Sequence, residues 1–261
     1  MIFLFDVDGT LTPPRQAMAD EMTTVFREVL ATSKVFLASG SDLKKIKEQV
    51  PADILSKCDG IFSCSANQFH IGGELQYENQ FIPDEKLVEQ LEKLIEGSPY
   101  SIRTGNHIEY RPGMINFSIV GRNASMAERK AYSKWDEKNQ ERKRMAVLLM
   151  AFVPGLDIKI GGQISIDIYP SGYDKSQAVN YLKKSYPDEP IFFFGDRTDR
   201  HGNDYSAAQA LGSKDRVFPV RNYLKTQELL KFYLQGGDLC LTNQLVTNLM
   251  QKYTMKNYVN L

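Results

Sequence analysis

Residues 2–12, Ile2-Phe3-Leu4-Phe5-Asp6-Val7-Asp8-Gly9-Thr10-Leu11-Thr12, constrain this chain more than any other stretch. The apolar run Ile2-Phe3-Leu4-Phe5 is too short for a helix and is closed by a turn residue, so it predicts a strand buried on both faces of a parallel sheet. Such a strand delivers Asp6 to the carboxyl edge of the sheet, where open α/β folds bind ligands. Asp6 and Asp8 stand at i and i+2, and share a face wherever the chain stays extended. Gly9 permits a sharp turn and Thr10 adds a hydroxyl and an N–H. Two carboxylates, a glycine and a threonine in this register point to phosphoryl transfer; a solvated Asp turn is the plain alternative.

Other strand ends repeat the pattern. Thr12-Pro13-Pro14 is a stiff turn that keeps Arg15 near the Asp pair, in position to meet a phosphate. Met22, Val25, Phe26 and Val29 carry helical spacing between Met18 and Leu30, and Val35 to Ala38 reads as a second buried strand ending in Ser39-Gly40-Ser41-Asp42. Either Ser39 or Ser41 supplies a hydroxyl there. A helix over 43–50 and a strand over 60–63 follow, and a further strand, Ile191 to Phe194, ends at Gly195-Asp196 with Asn203 and Asp204 beyond. That strand brings a second acid to the same edge, as Mg2+ requires: one or two carboxylates, a phosphate oxygen and waters. Lys175 opens a helix against the dipole preference, which points to an anion beside it.

Between these units the pattern changes. A helix is expected from Pro83 to Ile95, then a hairpin of His107–Arg111 and Met114–Val120 through Pro112-Gly113. Ser125 and Glu128 form a capping box that predicts one long charged helix reaching Phe152, with Trp135 on its buried face. Strands over 156–160 and 164–169 close the region. In the last one Ile164, Ile166 and Ile168 face one side while Ser165, Asp167 and Tyr169 face the other, a polar face suited to sugar hydroxyls. Antiparallel strands and helices inserted between parallel units predict an α+β domain over residues 82–170, with 1–81 and 171–261 forming the core domain. Arg111, Arg122 and Arg129 can converge; three guanidiniums around one point repel unless a dianion joins them, and Arg suits bidentate phosphate binding.

The 261 residues carry 32 basic and 32 acidic side chains, which gives no overall bias toward nucleic acid or membrane. Phosphate recognition must therefore be local. No apolar stretch has the length of a membrane span, the chain enters its first strand at once, and a cytoplasmic location is expected. Cys58, Cys64 and Cys240 are scattered and lack the spacing of a zinc site, so reduced thiols are expected. Two C-terminal helices, over 222–234 and 239–253, complete the pattern.

The four core elements, Asp6-Val7-Asp8-Gly9-Thr10, Ser39-Gly40-Ser41, Lys175 and Gly195-Asp196, resemble the four motifs of the haloacid dehalogenase (HAD) superfamily. The resemblance implies a Rossmann-like parallel-sheet core with an inserted cap of the C2 type. Asp6 is then the nucleophile, Asp8 the general acid/base, and a Ser the hydrogen-bond donor to the phosphoryl group. A closer likeness is carried by Ile108-Glu109-Tyr110-Arg111-Pro112-Gly113-Met114, Gly121-Arg122, Glu128-Arg129, Gly161-Gly162-Gln163-Ile164-Ser165-Ile166-Asp167 and Gly172-Tyr173-Asp174-Lys175. These are similar to motifs of eukaryotic-type phosphomannomutases, over about residues 2–206.

That resemblance implies interconversion of mannose 6-phosphate and mannose 1-phosphate through an aspartyl phosphate, supporting GDP-mannose synthesis, with Asp6, Asp8 and Lys175 catalytic. Arg15, Ser39, Ser41, Arg111, Arg122, Arg129, Ser165 and Asp167 are implied to bind a hexose phosphate. Asp6, Asp8, Asp196, Asn203 and Asp204 are implied to hold Mg2+, and hexose 1,6-bisphosphate is the implied activator. A homodimer through the cap is implied as well, around an aromatic position that falls on His107 here. The chain departs from the family at Cys64-Ser65-Ala66, where the family has Glu-Asn-Gly, and it extends past the family's usual end after about residue 235. A sugar-phosphate phosphatase using the same residues is the alternative, and a catalytically silent sugar-phosphate binding protein a further one.

Overall fold

The computed structural model describes residues 1–200 and 202–240. The chain divides into two compact units, residues 1–77 with 174 onward, and residues 78–173. In the first part of the first unit run β1 (Ile2–Phe5), α1 (Asp20–Thr32), β2 (Lys34–Ala38), α2 (Leu43–Gln49), α3 (Ala52–Leu55), β3 (Gly60–Ser63), β4 (Gln68–Ile71) and β5 (Glu74–Glu78). The second unit holds α4 (Glu85–Gly97), β6 (Ile108–Arg111), β7 (Met114–Phe117), α5 (Met126–Asn139), α6 (Glu141–Phe152), β8 (Leu156–Gly161) and β9 (Ser165–Pro170). The first unit resumes with α7 (Ser176–Ser185), β10 (Ile191–Gly195), α8 (Tyr205–Ala210), β11 (Arg216–Pro219) and α9 (Tyr223–Leu234).

The first unit is built on a sheet in the order β11-β10-β1-β2-β3-β4-β5, in which β11 through β3 pair in parallel and β4 pairs antiparallel to β3. Apart from Lys34 at the start of β2, its central strands β1, β2 and β10 carry no polar side chain, because both faces are covered. Phe3, Phe5, Val35, Leu37, Phe192 and Phe194 enter one core with Met22, Phe26 and Val29 of α1 and Leu230 of α9. Ile2, Leu4, Phe36, Ala38, Ile191 and Phe193 enter the other, with Ala178, Val179 and Leu182 of α7. β4 and β5, absent from the sequence reading, extend the sheet; the exposed, polar β5 carries no alternation strong enough to mark it. Cys58, Cys64 and Cys240 form no disulfide among the described residues. Most of the helix expected over 239–253 lies outside the described residues.

The second unit has a sheet in the order β6-β7-β9-β8, antiparallel throughout. Ile115, Phe117, Ile166 and Ile168 meet Leu87 and Leu91 of α4, Tyr132 of α5 and Leu149 of α6 in one core, against which Trp135 packs half-buried. The capping box at Ser125 and Glu128 is present. The single long helix is not: it breaks at Gln140, whose φ is 52°. The break has a local cause. Asp136 accepts from the Arg142 backbone N–H at 2.9 Å and from Arg142 Nε at 2.8 Å, so its carboxylate starts a second helix rather than continuing the first. Among the described residues no helix is long and apolar enough to cross a membrane.

Candidate active site

In the first unit, the loops after β1, β2 and β10 and the residues leading into α7 supply the polar side chains. Beyond Phe5 the chain stays in the sheet for one more residue, the Asp6 N–H donating to the Phe194 carbonyl at 2.9 Å. It then coils over the Val7 carbonyl, which accepts from the N–H groups of Thr10, Leu11 and Thr12. Gly9, at φ 84°, makes this turn, and a Cβ there would stand 2.3 Å from Asp196 Oδ2. The glycine thus lets the β1 loop lie directly against the acid at the end of β10.

Lys175 is fully buried. Its Nζ donates to Asp6 Oδ1 at 2.5 Å and to Asp204 Oδ1 at 2.6 Å. Asp204 also accepts the Arg197 N–H at 3.1 Å. Oxygens of Asp6, Asp196 and Asp204 lie within 4.8 Å of one another. Burial raises Asp6 to about 7 despite the neighbouring Lys175, with the charges of Asp204 and Asp196 adding to the rise. Asp196 rises to about 6, first from burial and then from Asp204. Burial works against the Lys175 ammonium, but the two carboxylates overcome it and hold its affinity for the proton above the ordinary value. Three converging carboxylates against one ammonium, with hard oxygen donors only, suit a divalent cation such as Mg2+.

Asp8 stands apart from this group. Its Oδ1 accepts from the Arg15 N–H at 2.7 Å and from Gln49 Nε2 at 2.7 Å, while Ser41 Oγ lies 3.4 Å from Oδ2. The Arg15 backbone, not its guanidinium, makes the contact; the side chain is exposed. Ser39 is buried and its Oγ accepts the Ser41 N–H at 3.1 Å, so of the two serines it is Ser41 that reaches Asp8. Asn203 flanks Gly40 beside Ser65. Gln49 escaped the sequence reading. It stands three positions after the buried Ile46 on one helical face, and nothing in the sequence pattern sets it apart from other helix residues.

In the second unit, Arg111 and Arg122 share one carboxylate oxygen, Glu109 Oε2, with Nε distances of 2.8 and 3.1 Å. Arg129 donates to the carbonyls of Ala124, at 2.8 Å, and Arg122. The three guanidiniums are therefore neighbours. Burial, then the charges of Arg111 and Arg129, weaken the hold of Arg122 on its proton, and Glu109 opposes them. Asp167 pairs with the Asn116 amide. Its carboxyl is raised by burial, against that hydrogen bond and the charges of Arg111 and Arg122. Register places Glu109, Asn116, Asp167 and Lys159 in one row across the sheet. Ser165 is buried, its hydroxyl donating to the Gly161 carbonyl at 3.0 Å. Glu109 and Asn116 were not singled out as site residues from sequence, although both lie within the motif strands.

The profile of the eukaryotic phosphomannomutase family matches residues 22–215. A phosphomannomutase from Dendrobium officinale is 38% identical over 213 residues, covering 78% of this chain and 83% of that protein. One from Glycine max is 38% identical, with 78% and 85% covered. Among solved structures, the C-terminal domain of C. albicans trehalose-6-phosphate phosphatase is similar with a TM-score of 0.58 at 15% identity, covering 91% of this chain and 92% of that one. A HAD subclass IIB sugar phosphatase is similar with a TM-score of 0.52 at 14% identity, covering 80% and 84%. These distant structures share the fold: the molecule has the HAD-type α/β architecture. The sequence matches go further, and the chain belongs to the eukaryotic phosphomannomutase family.

Proposed function

We propose that this protein is a phosphomannomutase, interconverting mannose 6-phosphate and mannose 1-phosphate in the cytoplasm with hexose 1,6-bisphosphate as activator. The observation that carries the reading is the buried Lys175 between Asp6 and Asp204, in a chain whose second unit gathers Arg111, Arg122 and Arg129. Asp6 is the nucleophile: its free oxygen attacks phosphorus and the aspartyl phosphate returns the group to either end of a hexose monophosphate. Asp8 gives a proton to the departing sugar oxygen and takes one from the attacking hydroxyl. Lys175 keeps Asp6 oriented and offsets charge at the transferring group. Mg2+ would be held by Asp6, Asp196 and Asp204, with Asn203 nearby in sequence, and would supply charge neutralisation to the phosphoryl oxygens.

The arginines of the second unit hold the phosphate that is not reacting, with Ser165 and Asp167 presented to sugar hydroxyls. Replacing Glu109 as the shared partner of Arg111 and Arg122 is a natural role for that dianion. A homodimer through the second unit is part of this proposal.

Hydrolysis of the same phosphoenzyme is the second reading. It is favoured by Cys64-Ser65-Ala66, a run whose φ values are 51°, 58° and 65° and whose Ser65 flanks Gly40. Covalent labelling by a hexose bisphosphate carrying labelled phosphate tests the shared chemistry. Label on the wild-type protein and none on Asp6→Asn is expected; equal labelling of both would overturn the assignment of Asp6.

A further inference from the structure

We propose that Gln49 is a positioning residue for proton transfer: it pins Oδ1 of Asp8 so that the proton is carried on Oδ2 alone. The inference rests on the reading of Asp8 as the general acid/base and adds a residue to it. Gln49 is 2% exposed and ends α2, on the face where Ile46 enters the core. Its Nε2 donates to Asp8 Oδ1 at 2.7 Å and to Thr12 Oγ1 at 3.2 Å, which uses both amide hydrogens. Among the described residues its Oε1 is buried without a partner. A side chain kept at this place for packing would be apolar, since an amide whose acceptor is orphaned is a poor filler. The donor half accounts for it.

The orientation of the amide follows from its partners. Turned over, Oε1 would face the Asp8 oxygen at 2.7 Å, acceptor against acceptor. With Nε2 toward Asp8, Oδ1 receives two N–H groups, from Gln49 and from the Arg15 backbone. Both of its lone pairs are then occupied, so a proton on Oδ1 would have to displace one of these donors. Among the described residues Oδ2 receives only the long 3.4 Å approach of Ser41 Oγ. In the transfer itself, the Asp6 oxygen-to-phosphorus bond forms as the bond between phosphorus and the sugar oxygen breaks, and the proton on Asp8 Oδ2 passes to that oxygen. Fixing the carboxyl plane keeps Oδ2 in place for this step.

The test separates donors by their need for a proton. A hexose bisphosphate loses a sugar alkoxide and requires the acid; acetyl phosphate loses a carboxylate and does not. Covalent phosphorylation of Asp6 by each is followed by rapid quench in wild type, Gln49→Leu and Gln49→Met, with urea unfolding to confirm that both variants fold. Loss of a placed acid is worth about 10²–10⁴ in rate, and loss of its positioning is expected to remove roughly 10–100-fold of that for the bisphosphate. The acetyl phosphate rate is expected to stay within about twofold, and the KM for hexose monophosphate to stay unchanged. Equal losses with both donors, or no loss with either, would overturn the role of Gln49 while leaving Asp6 as nucleophile. A wild-type protein phosphorylated by neither donor would overturn the functional reading itself, and Gln49 with it.

Discussion

Lys175 Nζ and Asp6 Oδ1 lie 2.5 Å apart, and neither side chain has meaningful contact with solvent. The same ammonium reaches Asp204 at 2.6 Å, so one cation holds two carboxylates that would otherwise repel. Lys175→Met removes it and leaves the pair uncompensated. Truncating one partner of a buried ion pair costs about 3–5 kcal/mol. The metal-free variant is therefore expected to unfold at much lower urea than wild type, with part of the loss recovered by Mg2+. Its turnover is expected to fall by about 10²–10³ or more.

The carboxylate cluster also sets a pH dependence. Asp6 is raised to about 7 and Asp196 to about 6 in the folded protein. In the unfolded chain both titrate near about 4. Between these values the folded state binds more protons than the unfolded state, so the stability of the metal-free protein falls as pH rises from about 4 to about 7. Mg2+ acts in the opposite sense because it binds the deprotonated carboxylates. Urea midpoints measured with EDTA and with Mg2+ are expected to diverge as pH increases across this window. A gap that does not widen with pH would contradict the metal assignment.

Residues 64–66 store backbone strain. Cys64, Ser65 and Ala66 are all left-handed without a glycine among them, a conformation that costs about 1–2 kcal/mol per L-residue. Ala66 is buried and its methyl group contributes to the core, whereas Ser65 is half-buried. Ser65→Gly is thus the substitution expected to gain, by about 0.5–1 kcal/mol after the entropy of the unfolded glycine is counted. The corresponding rise in Tm is roughly 1–4 °C. An unchanged or lower Tm would show that the Ser65 side chain stabilises the loop by as much as its φ costs.

Arg122 is more enclosed than Arg111 and sits between Glu109 and the guanidinium of Arg129, which binds its carbonyl. Arg122→Met is expected to raise the KM for hexose monophosphate strongly, consistent with about 2–5 kcal/mol for a buried charge-pair contact. Phosphorylation of Asp6 by acetyl phosphate, which has no second phosphate or sugar to hold, is expected to be unaffected. A loss in both would show that Arg122 acts on folding rather than on binding.

Much of this arrangement was legible in the sequence because buried parallel strands leave few readings. Ile2–Phe5, Val35–Ala38 and Ile191–Phe194 are apolar at every position, and the structure covers both their faces. The motif residues that follow such strands inherit their placement at one edge, which is how Asp6 and Asp196 come together. The misses arose where side-chain chemistry overrides local pattern. The charged stretch of α5 and α6 reads as one helix, and only the Asp136 and Arg142 pairing makes Gln140 a break. Ser39 and Ser41 could not be separated until the Ser41 N–H was seen to occupy Ser39 Oγ. Gln49 looks like any helix residue until the loop after β1 folds over it.

The most direct test of the central claim is one incubation of the protein with mannose 1-phosphate, Mg2+ and a catalytic amount of hexose 1,6-bisphosphate, following mannose 6-phosphate and free phosphate together. Mannose 6-phosphate in large excess over phosphate, formed only when the bisphosphate is present, is the predicted result. Free phosphate as the main product would contradict the mutase assignment and identify the phosphoenzyme as one that water reaches first.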